Sequence, residues 1–188
     1  YDPDLPTYCS IDFGYRMPAV IFLQTYWEDD IEHIRIFDSI LHKQNIKTED
    51  LIKLIKTKGY PIMSFYGDPA GSNVQGQSGR GDMEIFRRSG IRILSTRDRI
   101  SRNIVNSVAY TRGFFESADG IRRVHVDRRC TDMIEDFEEY RYPETEDGKP
   151  VKEEPMKDGY HDHGNDAFRY FIINRFPMRN QEMKRIQR

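Results

Sequence analysis

Three aspartates and the residues beside them are the side chains here whose types and spacing suit chemistry. Asp12 lies inside the apolar run Cys-Ser-Ile-Asp-Phe-Gly of residues 9–14. Asp68 follows the apolar run of residues 61–67, and Asp166 ends His-Asp-His-Gly-Asn-Asp, residues 161–166, just before a second apolar stretch. Ionised carboxylates are seldom buried unless paired or bound to a cation. Three brought together repel and raise one another's pKa unless divalent ions compensate them. Oxygen-only donors suit magnesium or manganese, and two such ions about 4 Å apart clamp a scissile phosphate, activating water on one side and steadying the leaving oxygen on the other. The expected reaction class is phosphodiester hydrolysis. Asp162 is a candidate fourth acidic ligand. His163, three residues before Asp166, shares a face with it if the helix begins early, and would bind manganese or act on the attacking water.

Each of these residues also has a structural reading. Asp12 suits a solvent-facing edge position or a turn before Gly14, and Asp68 before Pro-Ala-Gly suits a turn initiator. Asp162 and Asp166 suit favourable charges at a helix N-terminus, and His163 a cap or surface residue. Residues 71–78 have the outline of a phosphate-binding P-loop, but Gln77 stands where the charged lysine is required, so nucleotide binding there is rejected.

Charge is distributed unevenly along the chain. Residues 77–130 hold about twelve arginines and no lysine against about six acids, whereas residues 132–166 hold about thirteen acids against four bases. Arginine forks suit phosphate, and Arg80, Arg87, Arg88, Arg97, Arg99 and Arg102 are the expected DNA contacts. Binding through them would be salt-sensitive and independent of base sequence. For any single arginine, a solvated helix face is the competing reading.

These residues need a scaffold, and hydrophobic periodicity supplies one. Residues 7–14, 18–27 and 31–41 read as an antiparallel three-strand meander. A helix over residues 47–59, with Leu51, Ile52, Leu54 and Ile55 on one face, crosses to a strand at 61–67. That strand is most simply parallel to the first, which brings Asp68 near Asp12. Further elements are a helix at 82–89, a strand at 91–94, a helix at 99–110, a strand at 121–126 and an acidic helix at 131–140 with Met133, Ile134, Phe137 and Tyr140 inward. Residues 143–159 read as an exposed loop or hairpin. The apolar stretch 167–175, opened by the acidic cluster, reads as a last helix that Pro177 stops, and 176–188 as a basic tail. The fold class is α/β, a mixed central sheet of three antiparallel strands followed by parallel ones, flanked by helices.

With 188 residues the chain suits one domain. Tyr1 and the Asp-Pro-Asp-Leu-Pro that follows, residues 1–6, read as a linker remnant from a larger protein. Cys9 and Cys130 fit reduced thiols better than a disulfide framework. No apolar run is long enough to cross a bilayer, and no signal-peptide pattern is present, so a soluble intracellular protein is expected.

The order of elements and the runs Ser10-Ile-Asp-Phe-Gly, Tyr66-Gly-Asp-Pro-Ala-Gly, the acidic-aromatic stretch 129–142 and His161-Asp-His-Gly-Asn-Asp-Ala-Phe-Arg-Tyr resemble the nuclease domain of tailed-bacteriophage large terminases. That family has a ribonuclease H-like fold. The resemblance implies an endonuclease that cuts concatemeric double-stranded viral DNA in the host cytoplasm during packaging. It implies Asp12, Asp68 and Asp166 as metal-binding acids for two Mg2+ or Mn2+ ions, with His163 or Asp162 as the additional ligand. For the full protein it implies an N-terminal ATPase domain, a small terminase subunit and a portal protein as partners. Other ribonuclease H-like nucleases of resolvase type, and a non-catalytic DNA-binding or motor-docking module, remain alternatives.

Overall fold

The computed structural model describes residues 1–13, 17–68, 81–143 and 154–178. Its centre is β1 (Thr7–Asp12), buried along its whole length. β1 pairs antiparallel with β2 (Ala19–Glu28), which pairs antiparallel with β3 (Ile31–Ile40). The β2–β3 turn is Asp29-Asp30, both at positive φ (49° and 61°). Two left-handed residues give a hairpin turn whose twist matches the strands it joins, and aspartate tolerates that conformation. The helix α1 (Thr48–Thr57) carries the chain over the sheet to β4 (Ile62–Gly67), which runs parallel to β1. Beyond α2 (Asp82–Arg88), a short β5 (Ile93–Leu94) adds parallel to β4. β6 (Val124–Val126) adds parallel to β3, giving the strand order β5-β4-β1-β2-β3-β6. This is the expected mixed α/β sheet.

Two apolar cores sandwich the sheet. One face packs Cys9, Ile11, Val20 and Phe22 against Leu51, Ile52 and Ile55 of α1 and Phe86 of α2. The other packs Tyr8, Ile21, Leu23, Ile34 and Ile36 against Phe168, Phe171 and Ile172 of α6 (Asp162–Arg175). Phe114 of α4 (Ile104–Phe115) and Met133 of α5 (Thr131–Glu139) complete that second core. Strand alternation assigns Cys9 and Ile11 to the first face and Tyr8, Ser10 and Asp12 to the α6 face. Ser10 confirms this, its hydroxyl donating to the Ala167 carbonyl of α6 at 2.7 Å.

Several boundaries differ from expectation. The helix expected at 99–110 is two, α3 (Arg99–Arg102) and α4. Asn103 breaks it by adopting an extended conformation, with its side chain capping the Asn106 N–H, while Asp98 caps α3 through the Ser101 N–H. Side-chain oxygens that satisfy free N–H groups start helices, and here two such residues start two. The strand expected at 121–126 contributes only its last three residues. The final helix does begin within the acidic cluster, at Asp162, early enough to include both His163 and Asp166. Leu54, expected on the buried face of α1, is 36% exposed. Arg80, and most of the expected loop, tail and glycine-rich stretch, lie outside the described residues. Among the described residues no helix is long and apolar enough to cross a membrane. Cys9 and Cys130 are buried free thiols.

Candidate metal centre

The parallel β1–β4 pair sets two carboxylates side by side. Its last registered partners are Ile11 and Gly67, and Asp12 and Asp68 each follow by one residue. The approach is close at Gly67, where a Cβ would sit 3.0 Å from Ile93 Cγ2 and 3.1 Å from the Ile11 carbonyl. Only glycine leaves room for that approach. The third carboxylate comes from α6, whose first turns lie against the Asp12 face of β1. His163 and Asp166, both on α6, point to this junction.

The acidic run before α6 explains its early start. Asp158 accepts hydrogen bonds from the N–H groups of Tyr160 and His161 and from His161 Nδ1, and Asp162 accepts from the Gly159 N–H at 2.7 Å. Burial alone would raise the Asp158 pKa, but these donors outweigh it and hold the carboxyl below its usual range. Asp162 is buried and turned toward this connection.

Asp12 is 8% exposed, and one oxygen, Oδ2, lies 2.7 Å from His163 Nδ1. Burial raises its pKa. The His163 hydrogen bond opposes this, and the charges of Asp166 and Asp68 add to it. His163 is raised in turn, chiefly by Asp12. Both shifts favour a proton held between imidazole and carboxylate. Asp166 is 4% exposed. Its Oδ1 accepts from Arg169 Nη2 at 2.8 Å and Nε at 3.2 Å, and its Oδ2 from Lys157 Nζ at 2.8 Å. Burial would raise Asp166, but the two cations hold it below its usual range. The fold thus gathers Asp12, Asp68, His163 and Asp166 within electrostatic reach at one end of the sheet.

The donor chemistry fits a hard divalent cation: carboxylate oxygens, desolvated and mutually repelling, in a low-dielectric junction. As the side chains stand, however, His163, Lys157 and Arg169 supply the compensating charge. Among the described residues no three or more His, Cys, Asp or Glu side chains are arranged to hold a metal ion.

Sequence reasoning missed three members of this neighbourhood. Arg169 was legible, because a basic residue three positions after a buried acid on a helix faces it. Lys157 falls in a stretch that reads as exposed. Asp136 on α5 is 0% exposed and accepts from His42 Nε2 at 2.8 Å, while the Asp136 carbonyl accepts from Asn165 Nδ2 at 2.6 Å. Its Oδ2 has no hydrogen-bond partner of normal geometry and lies against Gly164, where a Cβ would collide with it. Asp136 therefore fixes the first turn of α6 from outside. Its signal was an acid between Met133 and Phe137 on an apolar face.

The expected arginine contacts are placed apart from one another in role. Arg87 and Arg88 are ion-paired to Glu84 on α2. Arg97, Arg99 and Arg102 are exposed around α3.

A scan against protein-family models found no match, and neither did a search of curated proteins. Among the solved structures that match, two superpose over most of their length. The nuclease domain of the P22 large terminase superposes with a TM-score of 0.65 at 20% identity, covering 93% of this chain and 84% of that one. The g2p large terminase nuclease domain of bacteriophage SPP1, solved with bound Mn, gives 0.61 at 14% identity, covering 89% and 85%. The fold is that of large-terminase nuclease domains. In this terminase nuclease fold, ribonuclease H-like in its mixed six-stranded sheet, the acids of this chain sit where β1, β4 and α6 meet.

Proposed function

We propose that this chain is a divalent-metal-dependent DNA endonuclease, the nuclease part of a phage large terminase that cuts concatemeric DNA during packaging. The observation that carries the reading is the convergence of Asp12, Asp68 and Asp166, from segments far apart in sequence, at one buried junction of a terminase nuclease fold. Asp12, Asp68 and Asp166 are the residues that would hold Mg2+ or Mn2+, with His163 and Asp162 beside them. Bound there, two such ions would lower the pKa of the attacking water and stabilise the leaving oxygen. The chain's own residues do the rest. Arg169 fixes the Asp166 carboxylate through Oδ1, while Lys157 holds Oδ2. His163 shares a proton with Asp12, and on deprotonation can accept one from an incoming water. Arg97, Arg99 and Arg102, exposed around α3, suit contacts with backbone phosphates and make cutting largely independent of base sequence. In the full protein the partners would be an ATPase domain, a small terminase subunit and a portal protein, in the host cytoplasm.

The experiment is supercoiled plasmid incubated with the chain in Mn2+, Mg2+ or chelator, beside Asp12→Asn and Asp68→Asn variants checked for folding. Metal-dependent nicking and linearisation, lost in both variants, is the expected result. A folded wild type that binds DNA and cuts it in neither metal would instead favour a docking module. Sharp cleavage at one site would count against sequence-independent cutting.

A further inference from the structure

We propose that Lys157 is an exchangeable counter-cation whose ammonium occupies the Asp166 oxygen a divalent ion must take, so that metal entry and Lys157 departure are one event. This rests on the metal-dependent reading above and adds the residue that competes with the metal.

The two oxygens of Asp166 are held differently. Oδ1 is gripped by the Arg169 fork; Arg169 is on the same helix, its side chain is 6% exposed, and Nη1 is anchored on Ser107 Oγ at 3.2 Å. That guanidinium cannot return to water without unpacking α6 from α4. Oδ2 is held by Lys157 Nζ at 2.8 Å, from a side chain 53% exposed on the non-helical segment that precedes α6. Lysine is a flexible, strongly hydrated point charge, and here a change of side-chain rotamer returns it to solvent. His163, the third cation, sits on α6 and holds Asp12 rather than Asp166. Lys157 is thus the readily displaced member of the three described cations.

Electrostatics makes the exchange obligatory. A divalent ion bound to Oδ2 would lie within a few Å of the ammonium, and like charges at that distance in a poorly solvated junction repel strongly. With Lys157 in place, both oxygens of Asp166 are already engaged by cations, Oδ1 by Arg169 and Oδ2 by Lys157. Removing Lys157 leaves Asp166 with Arg169 and raises the local demand for an external cation.

The test is Mn2+ titration of the whole chain at fixed ionic strength, followed by the electron paramagnetic resonance of free Mn2+, for wild type, Lys157→Met, Lys157→Arg and Asp166→Asn, each checked by circular dichroism. Lys157→Met is expected to bind Mn2+ roughly two- to fivefold more tightly, the range a half-exposed ion pair supports. Lys157→Arg is expected to gain nothing. Unchanged affinity in Lys157→Met, with Mn2+ bound by wild type and lost in Asp166→Asn, overturns the exchange and leaves the metal-site reading intact. Weaker binding in Lys157→Met overturns it too, assigning Lys157 to holding Asp166 in place. No Mn2+ binding by folded wild type and folded Lys157→Met removes both readings.

Discussion

Asp136 offers the sharpest energetic test of how α6 is positioned. Burial pushes its carboxyl from 3.8 up to about 6, with the neighbouring His42 and His161 only partly opposing this. A raised carboxyl pKa means that the folded chain holds its proton longer than the unfolded chain. Below about 3.8 both states are protonated, and the group costs nothing. As pH rises toward 6 the unfolded chain ionises first, stability falls, and above 6 the full cost is present. Carrying the ionisation from 3.8 to about 6 corresponds to about 3 kcal/mol of lost stability. Asp136→Asn cannot ionise and keeps the shape, so its stability relative to wild type is expected to improve by about 2–3 kcal/mol between about pH 3.5 and about pH 8. Urea unfolding followed by far-ultraviolet circular dichroism at five or six pH values measures this. The titration of distant groups such as Asp127 cancels in the comparison. A difference that stays flat across that range, or that moves in favour of wild type as pH rises, would show that Asp136 does not ionise against its surroundings, and would refute the burial cost assigned to it.

Other perturbations read different parts of the scaffold. Gly164→Ala drives a Cβ into Asp136 Oδ2 and against Met133 Sδ; a loss of about 2–4 kcal/mol in urea unfolding and a drop in nicking rate are expected. Asp166→Asn strips buried Arg169 of its partner as well as removing a ligand, so about 3 kcal/mol of stability and at least about a hundredfold of nuclease activity should go together. Phe168→Ala, at a side chain 1% exposed, should cost about 3–5 kcal/mol by the same unfolding assay. Asn103→Ala removes the α4 cap and should cost about 1 kcal/mol, visible as a small fall in Tm.

The parts of this fold set by local pattern were readable in the sequence. Alternation in residues 7–41 gave the meander, and a helix before the next strand gave the parallel β1–β4 pair that sets Asp12 beside Asp68. What eluded sequence reasoning depends on side chains meeting across the chain. Asn103 ends one helix and starts the next by swinging its own amide, which hydrophobic spacing does not encode. α6 starts early because Asp158 and Asp162 fold the preceding turn back on its own N–H groups. Lys157 looks like one more charge in a polar loop until Asp166 is buried beneath it. Asp136 looks like a solvated acid until α6 lies across it.

The junction that pairs Asp12 with His163 joins residues 151 positions apart, and the helix supplying His163 and Asp166 is the last element of the described fold. A ribosome therefore releases β1, β4 and every other described strand of the sheet well before the acids can meet. Contacts between such distant segments form late, since their loop-closure cost must be met first. A nascent or prematurely terminated chain, lacking α6, would have a sheet end carrying two aspartates and no assembled site. Synthesis order by itself would thus keep this junction unassembled until the last described helix has emerged.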